Sequence, residues 1–389
     1  MDNKKQIPVV DLKLEYDYMK DEINSAIQKC LEHQKWILGP EVNDLEEKIS
    51  NYLSVKYCIG TSSGTEALVL SLRGLAIKLK GREFFNKEDL IITTPFTFTA
   101  TGDSILRSGA TPLFVDVDLN TYNIDVSKID DVLTKSPYKG KIIGILPVHL
   151  YGLASNMDKI MEIAQKYNLF VVEDTAQAFG GSWKGKKLGS IGNCGCLSFF
   201  PTKNLGGFGD GGMISTNDEE INDIIRCLIK HGGKDKYNVE HIGYNARLDT
   251  IQAAILLAKL KYVEEFNKKR REIANIYNEN FKDIEEIETP ADLEEGYNVY
   301  HQYTIKVRHC KRDEVKKYLE QQGISSMIYY PISLHKMKVF EGRCEIYGSL
   351  ENSEKLCKEV LSLPIEPLFG RSEIEYIVKK VKEFFKYEK

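Results

Sequence analysis

The chain has 389 residues, of which 42% are hydrophobic and 28% charged, and its formal net charge at pH 7 is −4. These proportions are typical of a globular protein, and the length exceeds what one hydrophobic core usually supports, so two domains are expected. The small negative charge offers no basic field for nucleic acid or an anionic membrane surface, and we predict neither partner. The densest basic run, KKRREI (268–273), falls in a helical pattern and is predicted to be a solvated helix face.

The sequence also bears on the cellular compartment. The first residues, MDNKKQIPVVDLKLEY, lack the apolar stretch of a signal peptide, and no segment has the apolar length needed to cross a bilayer. Eight cysteines are scattered along the chain, and only Cys194 and Cys196 lie close together. A single C-x-C without a second pair is a weak metal signal, so we predict buried thiols, no metal and a reducing cytoplasm.

Short apolar strands alternate with helices over the first half of the chain. In chain order the predicted elements are a helix over 17–32, a turn at 39–40 followed by a helix to 53, a strand leading into a turn over 56–63, a helix over 65–79, a strand over 89–96, a helix over 98–109, a strand over 111–118, a strand and loop over 141–152, a helix over 156–168 and a strand running into a loop over 169–177. Repeated strand–helix–strand units predict a mostly parallel sheet with helices on both faces.

The second half of the chain has a different pattern. A long stretch over 248–282 places apolar residues on one helical face and is predicted to leave the first domain. A strand over 300–307 and a helix over 311–323 then indicate a smaller α+β domain. We therefore predict a large domain over residues 1–250 and, over 251–389, a linking helix and a small C-terminal domain.

Three unusual segments follow predicted strands, where ligands of open parallel sheets collect. The first is GTSSGTEAL (60–68), in which small residues lead from a strand into a helix. The amides of Gly64 and Thr65 would face outward at the positive helix end, which can bind phosphate. A plain N-cap at Ser62 or Ser63 explains the same pattern and is favoured if this segment is taken alone.

The second segment, VVEDTAQAFG (171–180), places Asp174 directly after a buried strand. A carboxylate in that position is costly to desolvate unless it meets a cation or strong donors. Pairing with a protonated ring nitrogen and capping of the next turn are equally good explanations. Gln177, three residues later, could hydrogen-bond the same ligand.

The third segment, SFFPTKNLGGFGDGG (198–212), sets Lys203 between aromatic residues and five glycines. Its amine can form a Schiff base, and Phe199, Phe200 and Phe208 would help to desolvate it and lower its pKa. The glycines would let backbone approach closely. An exposed loop lysine is the commoner situation, but a phosphate cradle, a buried carboxylate and a lysine together indicate pyridoxal 5′-phosphate.

The motifs SSGTEAL, TPFTFTAT, PVHLYG, EDTAQAFG, SFFPTKNLGGFGDGG and NARLDTIQAAIL resemble those of the DegT/DnrJ-type nucleotide-sugar aminotransferases, a branch of the aspartate-aminotransferase fold (fold type I). The resemblance spans residues 6–370. It implies an α/β fold whose large domain has a mostly parallel sheet of the seven-stranded type.

The resemblance also implies roles for individual residues. Lys203 matches the Schiff-base lysine, which would act as base and acid, and Asp174 matches the partner of the ring nitrogen. The remaining matched cofactor contacts are Gln177 at the ring hydroxyl, Phe98 stacked on the ring, and Gly64, Thr65 and Ser198 at the phosphate. Asn245 matches a residue that reaches the cofactor phosphate of the neighbouring subunit, so the resemblance implies a homodimer with shared active sites. Taken alone, Phe98 is better explained as a core residue.

The implied reaction is a ping-pong transfer of an amino group from L-glutamate to a nucleotide-linked keto-sugar. The segment over 231–256 is most similar to enzymes that aminate C3 of a UDP-linked 2-acetamido-3-keto-hexuronate, where Arg247 could hold the sugar carboxylate or the nucleotide; the alternative for Arg247 is an ion pair with Asp249. A dTDP-linked 3-keto-6-deoxyhexose and a 4-keto sugar are the rival substrates. Such a reaction would serve the biosynthesis of cell-surface polysaccharide or glycans.

A substrate role is also considered for the segment SSMIYYPISLHKM (325–337). Many relatives have His-Tyr-Pro where this chain has Tyr329, Tyr330 and Pro331, and His335 lies nearby. The departure at Tyr329 puts a copied substrate role there in doubt, and a core strand residue explains it equally well.

Two other functions are alternatives to the aminotransferase. A related sugar 3-dehydrase would carry histidine in place of Lys203, which argues against that activity. A non-catalytic regulator on the same fold would tolerate the loss of Lys203 or Asp174, yet both are present.

Overall fold

The computed structural model describes residues 6–235 and 237–387. Its main sheet contains eight strands: β1 (Tyr57–Thr61), β2 (Leu90–Thr93), β3 (Thr111–Phe114), β4 (Ile142–Ile145), β5 (Phe170–Asp174), β8 (Cys194–Ser198), β9 (Gly212–Thr216) and the short edge strand β13 (Glu345–Ile346). Their order across the sheet is β1-β9-β8-β5-β4-β2-β3-β13. Strands β13, β3, β2, β4, β5 and β8 pair in parallel, whereas β9 is antiparallel to both β8 and β1. The predicted mostly parallel sheet is confirmed, with one short strand beyond seven.

Helices cover the two faces of this sheet because its strands are buried on both sides. The helices are α1 (Leu12–His33), α2 (Pro40–Leu53), α3 (Gly64–Lys80), α4 (Thr99–Arg107), α5 (Val126–Lys135), α6 (Met157–Tyr167), α7 (Glu219–Leu228), α8 (Thr250–Leu260), α9 (Val263–Phe281), α10 (Arg312–Gln321), α11 (Glu351–Glu359) and α12 (Arg371–Tyr387). One apolar cluster joins α3 and α7 to the sheet, and a second joins α5 and α6 to its other part.

A smaller α+β unit follows α9. Strands β10 (Ile287–Glu288), β12 (Tyr303–Val307) and β14 (Val360–Leu363) form its antiparallel sheet, and apolar residues of α9, α10 and α12 pack against that sheet. A further small sheet combines β6 (Ser182–Trp183), β7 (Lys186–Lys187) and β11 (Gly296–Tyr297). The predicted smaller C-terminal unit is therefore present.

The periodic stretch over 248–282 forms two helices instead of one continuous helix. Helix α8 shares apolar clusters with α1 and α2, while α9 contributes Ile273, Tyr277 and Phe281 to the smaller core. The prediction of a domain boundary at residue 250 remains a prediction.

The basic run over 268–273 was predicted to be a solvated helix face, and that prediction is only partly correct. Lys268 is exposed, but Arg270 is buried, and its Nε and Nη1 atoms have no hydrogen-bond partner among the described residues. Periodicity placed this residue in a helix, but the packing of α9 determined that its charged end turns inward.

The cysteines agree with the expectation of buried thiols at most positions. Cys194 and Cys196 are buried in β8, and burial raises the pKa of the Cys194 thiol to about 12. A separate cluster brings potential ligand atoms of Cys30, His33 and Glu41 within 4.8 Å of one another, and the 3.0 Å His33–Glu41 hydrogen bond joins α1 to α2 there. Over the described ranges, no helix is long and apolar enough to cross a membrane.

Candidate active site

The pairing of three strands brings two of the predicted segments together. Gly212 on β9 is the register partner of Thr61 on β1 and of Ser198 on β8. A Cβ atom at Gly212 would lie 2.4 Å from the Ser63 backbone, and one at Gly64 would lie 2.7 Å from the Ser198 Cβ atom. Glycine at both positions therefore allows the start of α3 to lie directly against Ser198.

Helix α3 begins at this point. Ser63 is its N-cap, and the Ser63 hydroxyl accepts a 3.1 Å hydrogen bond from the Glu66 amide. The leading amides of a helix have no intrahelical acceptor, and those of Gly64 and Thr65 belong to residues that line the adjoining cavity. The N-cap is therefore compatible with the predicted phosphate cradle, which stays a prediction, because the cap uses the Glu66 amide and not those of Gly64 and Thr65.

Asp174 ends β5, and its register partner on the parallel strand β8 is Cys196, two residues before Ser198. Its carboxylate is buried and accepts hydrogen bonds from the Thr101 hydroxyl at 2.8 Å and from the Ala176 amide at 3.2 Å. Burial raises the pKa of Asp174, while the hydrogen bond from Thr101 and the nearby Lys203 charge oppose that rise. Asp174 is therefore a buried acid at the wall of the cavity, and a cationic ligand in the cavity would stabilise its charged form.

A polar layer below Asp174 was not found by the sequence analysis. His149 is fully buried; its Nδ1 atom accepts from the Ser155 amide at 3.1 Å, and its Nε2 atom therefore donates to Glu173, also at 3.1 Å. Glu173 in turn accepts from the amides of Gly189, Ile191 and Gly192. The histidine in PVHLYG was the available signal in the sequence. Its position in the sequence gives no indication that His149 contacts Glu173, the residue before Asp174.

Lys203 projects into the same cavity as Asp174. Burial lowers the pKa of Lys203 to about 8, and the Asp174 charge acts in the opposite direction. The Lys203 amide donates to the Phe200 carbonyl at 2.8 Å, which closes a tight turn at the end of β8. A lysine with this pKa has a much larger fraction of free amine near neutral pH than a solvated lysine.

The aromatic and glycine residues around Lys203 only partly match their predicted roles. Phe200 lines the cavity, but the ring of Phe208 lies 6.1 Å from Tyr16 on α1 and does not line the cavity. A Cβ atom at Gly206 would lie 2.2 Å from the Pro201 carbonyl oxygen. The absence of a side chain at Gly206 therefore lets its backbone lie against the backbone of Pro201 in the same turn.

The cavity has a volume of about 460 Å³, and its walls carry most of the predicted cofactor residues. The predicted cofactor residues that line it are Gly64, Thr65, Phe98, Asp174, Gln177, Ser198 and Lys203, and the predicted substrate residues that line it are Tyr329 and Tyr330. Phe98, at the N-terminus of α4, is 55% exposed, so the core explanation for it was wrong. Its ring lies 6.1 Å from that of Tyr330.

The tyrosine pair closes one side of this cavity. The Tyr330 hydroxyl accepts a 2.9 Å hydrogen bond from Gln177 Nε2, and Gln177 Oε1 accepts from the Tyr151 amide at 2.8 Å. Tyr151 also donates its hydroxyl proton to the Tyr329 carbonyl. These two hydrogen bonds fix the orientation of the Gln177 side chain. A ring hydroxyl of a bound cofactor would share the Gln177 amide group with the Tyr330 hydroxyl.

His335 lies outside the cavity lining. Its Nδ1 atom is 3.0 Å from the Ser333 hydroxyl, and its Nε2 atom is 3.0 Å from Glu354 Oε1. The structure therefore brings Tyr329 and Tyr330 to the site but does not bring His335 with them.

Asn245 and Arg247 lie next to the start of α3, on the outer side of β1. Arg247 forms a backbone bridge with Thr61, and the Ser62 amide donates to the Ala246 carbonyl at 3.0 Å. The Arg247 guanidinium donates to Asn245 Oδ1, and no ion pair with Asp249 occurs in the described part of the chain. Neither side chain lines the cavity of its own protomer.

His301 and Gln302 line the cavity from the smaller unit, and the sequence analysis missed both. They are 5% and 8% exposed, and neither His301 Nδ1 nor Gln302 Oε1 has a hydrogen-bond partner among the described residues. Two polar residues within the apolar strand pattern VYHQYTI were the only available signal.

Comparison with known proteins places this geometry in a family. Residues 17–382 match the model of the DegT/DnrJ/EryC1/StrS aminotransferase family. The chain is 40% identical to a UDP-N-acetyl-3-dehydro-alpha-D-glucosamine 3-aminotransferase from Acidithiobacillus ferrooxidans, with 97% of each chain covered. It is 40% identical to a dTDP-3-amino-3,6-dideoxy-alpha-D-galactopyranose transaminase from Aneurinibacillus thermoaerophilus, covering 97% of this chain and 99% of the relative. It is 37% identical to a UDP-2-acetamido-2-deoxy-3-oxo-D-glucuronate aminotransferase from Pseudomonas aeruginosa, covering 95% and 98%.

Solved structures agree with the fold. DesV from S. venezuelae, in complex with a ketimine intermediate, superposes with a TM-score of 0.91 at 32% identity over 98% of this chain and 99% of that one. The ntda protein of Bacillus subtilis, with bound cofactor PMP, gives a TM-score of 0.88 at 32% identity over 99% and 86%. The chain belongs to the DegT/DnrJ/EryC1/StrS aminotransferase family, and it is a pyridoxal-phosphate-dependent sugar aminotransferase.

Proposed function

We propose that this aminotransferase moves an amino group from L-glutamate to C3 of a nucleotide-linked 3-keto sugar. The observation that carries the catalytic part is the placement of Lys203 and Asp174 in one cavity, within electrostatic reach of each other. The first candidate acceptor is a UDP-linked 2-acetamido-3-keto hexuronate. The alternatives are the corresponding neutral UDP-sugar, a dTDP-linked 3-keto-6-deoxyhexose and a 4-keto sugar.

The residues present fit pyridoxal 5′-phosphate. The Gly64 and Thr65 amides and the Ser198 hydroxyl would hold its phosphate at the start of α3. The Asp174 carboxylate would pair with the ring nitrogen, Gln177 would bind the ring hydroxyl, and the exposed Phe98 ring would cover one ring face. When bound, the cofactor supplies an aldehyde for Schiff-base formation and an electron-withdrawing ring.

The chain then contributes the proton transfers. Lys203 has a pKa of about 8, so it can take a proton from the donor α-carbon and return it to C4′ of the cofactor, the carbon on the other side of the donor nitrogen. Asp174 stays next to the ring nitrogen, held by Thr101 on one side and the Ala176 amide on the other. A negative carboxylate there keeps that nitrogen protonated, which stabilises the negative charge that develops during the reaction.

The preference for C3 is supported by the relatives. The names of three relatives, two of them 40% and one 37% identical, each specify position 3 of the sugar, while they differ in the nucleotide and in whether the sugar carries a carboxylate. Arg247 is the side chain that we assign to a sugar carboxylate or to the nucleotide. Its Nε atom is buried without a partner among the described residues, so the guanidinium has unused donor capacity.

We also propose that two subunits share the active sites. Asn245 is exposed and lies outside its own cavity, as expected for a residue that serves a neighbour. The segment that follows Asn245 contacts a short run of exposed apolar side chains: Trp36, Ile37 and Leu38 are 37%, 47% and 40% exposed, and the Trp36 carbonyl accepts from the Thr250 amide at 3.0 Å. A contiguous exposed apolar stretch is typical of a protein interface.

The acceptor half-reaction tests the substrate. Protein loaded with pyridoxamine phosphate is mixed with UDP- and dTDP-linked 3-keto and 4-keto sugars, and the return of the visible absorbance of the pyridoxal form is followed. We expect 3-keto sugars to restore it, with the UDP-linked hexuronate fastest. Arg247→Leu should slow the hexuronate by about tenfold and a neutral UDP-3-keto sugar much less, as expected for loss of a charged hydrogen bond. Restoration by a 4-keto sugar alone would contradict the assignment of C3.

A further inference from the structure

His301 and Gln302 occupy the inner wall of the cavity, and the backbone around them is fixed to the elements that carry the catalytic residues. The Val299 carbonyl accepts a 3.2 Å hydrogen bond from Asn204 Nδ2, one residue after Lys203. The Val299 amide donates to the Gly152 carbonyl at 3.2 Å. These contacts hold the segment beside the lysine without using the side chains of His301 and Gln302.

Both side chains have unused hydrogen-bonding capacity in a buried position. Both are more than nine-tenths buried and both line the cavity that contains Lys203. His301 Nδ1 and Gln302 Oε1 have no partner within residues 6–235 and 237–387. Since a buried polar atom without a partner is costly, two neighbouring side chains that line one cavity and each carry such an atom indicate a ligand that satisfies them.

The charges nearby indicate what kind of ligand this is. Burial lowers the pKa of His301, and the positive charges of Lys203 and Arg270 lower it further, so the ring is neutral. Arg270 is itself buried and makes no ion pair within 4.0 Å among the described residues. Asp174 acts on the Lys203 charge, and Glu366 and Glu15 act on that of Arg270. A neutral imidazole N–H that feels both positive charges still suits an anionic acceptor, and a carboxylate is the common small anion of this kind.

We propose that His301 and Gln302 receive the amino acid that donates the amino group, His301 through the α-carboxylate and Gln302 through the ammonium group. This inference rests on the proposed use of an amino acid as donor. An α-amino acid offers a hydrogen-bond acceptor and a hydrogen-bond donor side by side, which matches an imidazole N–H next to an amide carbonyl. The larger nucleotide must remain near the open side of the cavity, where Phe98 and Phe200 are 55% and 50% exposed.

Ping-pong transfer allows a direct test, because the donor and acceptor half-reactions can be measured separately. In wild-type holoenzyme, L-glutamate should remove the visible absorbance in a single turnover, which establishes the donor step without any sugar. In His301→Asn the apparent dissociation constant for L-glutamate should rise by about tenfold or more, as for loss of a hydrogen bond to a charged group. The acceptor half-reaction of the same variant should stay within about twofold of wild type.

Calorimetry with glutarate, a dicarboxylate that cannot react, gives a readout that does not depend on turnover. His301→Asn should weaken glutarate binding to the holoenzyme by about tenfold, whereas Gln302→Met should weaken binding of L-glutamate and leave that of glutarate unchanged. The matched control is His309→Asn: His309 is exposed in the smaller unit, and its φ of 61° is one that asparagine adopts readily.

Three outcomes would overturn the inference. They are an equal slowing of both half-reactions by His301→Asn, a slowing of the acceptor half-reaction alone, and unchanged binding of both glutarate and L-glutamate. If wild-type protein completes the donor half-reaction but aminates no 3-keto sugar, the proposed acceptor is wrong and the donor assignment stands or falls on its own data.

Discussion

The Thr101 hydroxyl donates a 2.8 Å hydrogen bond to the Oδ2 atom of Asp174, and so connects helix α4 to the buried carboxylate at the end of β5. Both groups are buried, and Thr97 extends the chain of hydroxyls through a 3.0 Å contact with Thr101. The first turn of α4 therefore positions the carboxylate that we assign to the cofactor ring, in addition to placing Phe98.

Thr101→Val keeps the shape of the side chain and removes this donor. We expect a loss of about 1.5–3 kcal/mol in the free energy of unfolding, since the hydrogen bond is made to a charged group. The pKa of Asp174 should rise further because the Thr101 hydrogen bond lowers it, and kcat should fall with it. Urea unfolding and steady-state kinetics measure both effects. Thr134→Val, on an exposed part of α5, should change stability by no more than about 0.5 kcal/mol; equal losses in the two variants would contradict the role given to Thr101.

Lys203 should set the pH dependence of cofactor capture by the apoprotein. Only the free amine attacks an aldehyde, so the rate of pyridoxal phosphate capture should rise with pH and level off above the Lys203 pKa of about 8. Lys203→Ala should abolish both the covalent attachment and turnover. Stopped-flow absorbance between about pH 6 and pH 9 gives the profile, and binding of pyridoxamine phosphate, which needs no free lysine, is the control. A capture rate that still rises steeply at the upper end of this range, without levelling off, would show that the amine is not desolvated.

Asp174→Asn should move that midpoint in a defined direction. The Asp174 charge raises the pKa of Lys203 against the effect of burial, so its removal lowers the pKa of the lysine and shifts the capture profile to lower pH. Turnover should nevertheless fall strongly, because the ring nitrogen loses its negative partner. A midpoint that stays in place or moves upward would mean that the two groups do not interact as described.

The close approach of β9 to the start of α3 predicts the effect of a single methyl group. Gly212→Ala places a Cβ atom 2.4 Å from the Ser63 backbone, so the phosphate cradle must shift, and we expect the dissociation constant of pyridoxal phosphate to rise by more than about tenfold. Gly296→Ala adds the same methyl group where the nearest atom is 3.6 Å away, and it should bind the cofactor like wild type. Fluorescence titration with the cofactor compares the two variants, and unchanged affinity in Gly212→Ala would show that the cradle does not hold the phosphate.

Subunit complementation tests the shared site. Lys203→Ala and Asn245→Asp proteins should each be nearly inactive, but a mixed dimer contains one site with an intact Lys203 and an intact Asn245 from its partner. Random mixing in equal amounts should therefore restore about a quarter of wild-type activity. If Asn245 serves the site of its own chain, both sites of the mixed dimer are defective and no activity returns.

Much of the fold could be predicted from local pattern. Alternating apolar strands and amphipathic helices gave the mostly parallel sheet, because burial on both faces leaves its signature in each strand separately. The pattern could not show that the stretch over 248–282 forms two helices, or that the charge of Arg270 turns inward. Both depend on packing between α9 and elements that lie far away in the sequence.

The sequence by itself determined the family and the chemical groups of the site, since Lys203, Asp174 and the glycine-rich turns lie in motifs that carry their meaning within a few residues. Tertiary structure alone decided which side chains share the cavity. It brought in His301 and Gln302 from the smaller unit, added the His149–Glu173 layer below Asp174, and left His335 outside. The physical reason is that hydrogen bonds, burial and pKa shifts depend on distances in space between segments that are separated in the chain, by 24 residues for His149 and Glu173 and by 98 for Lys203 and His301. Spacing along the sequence contains no information about those distances.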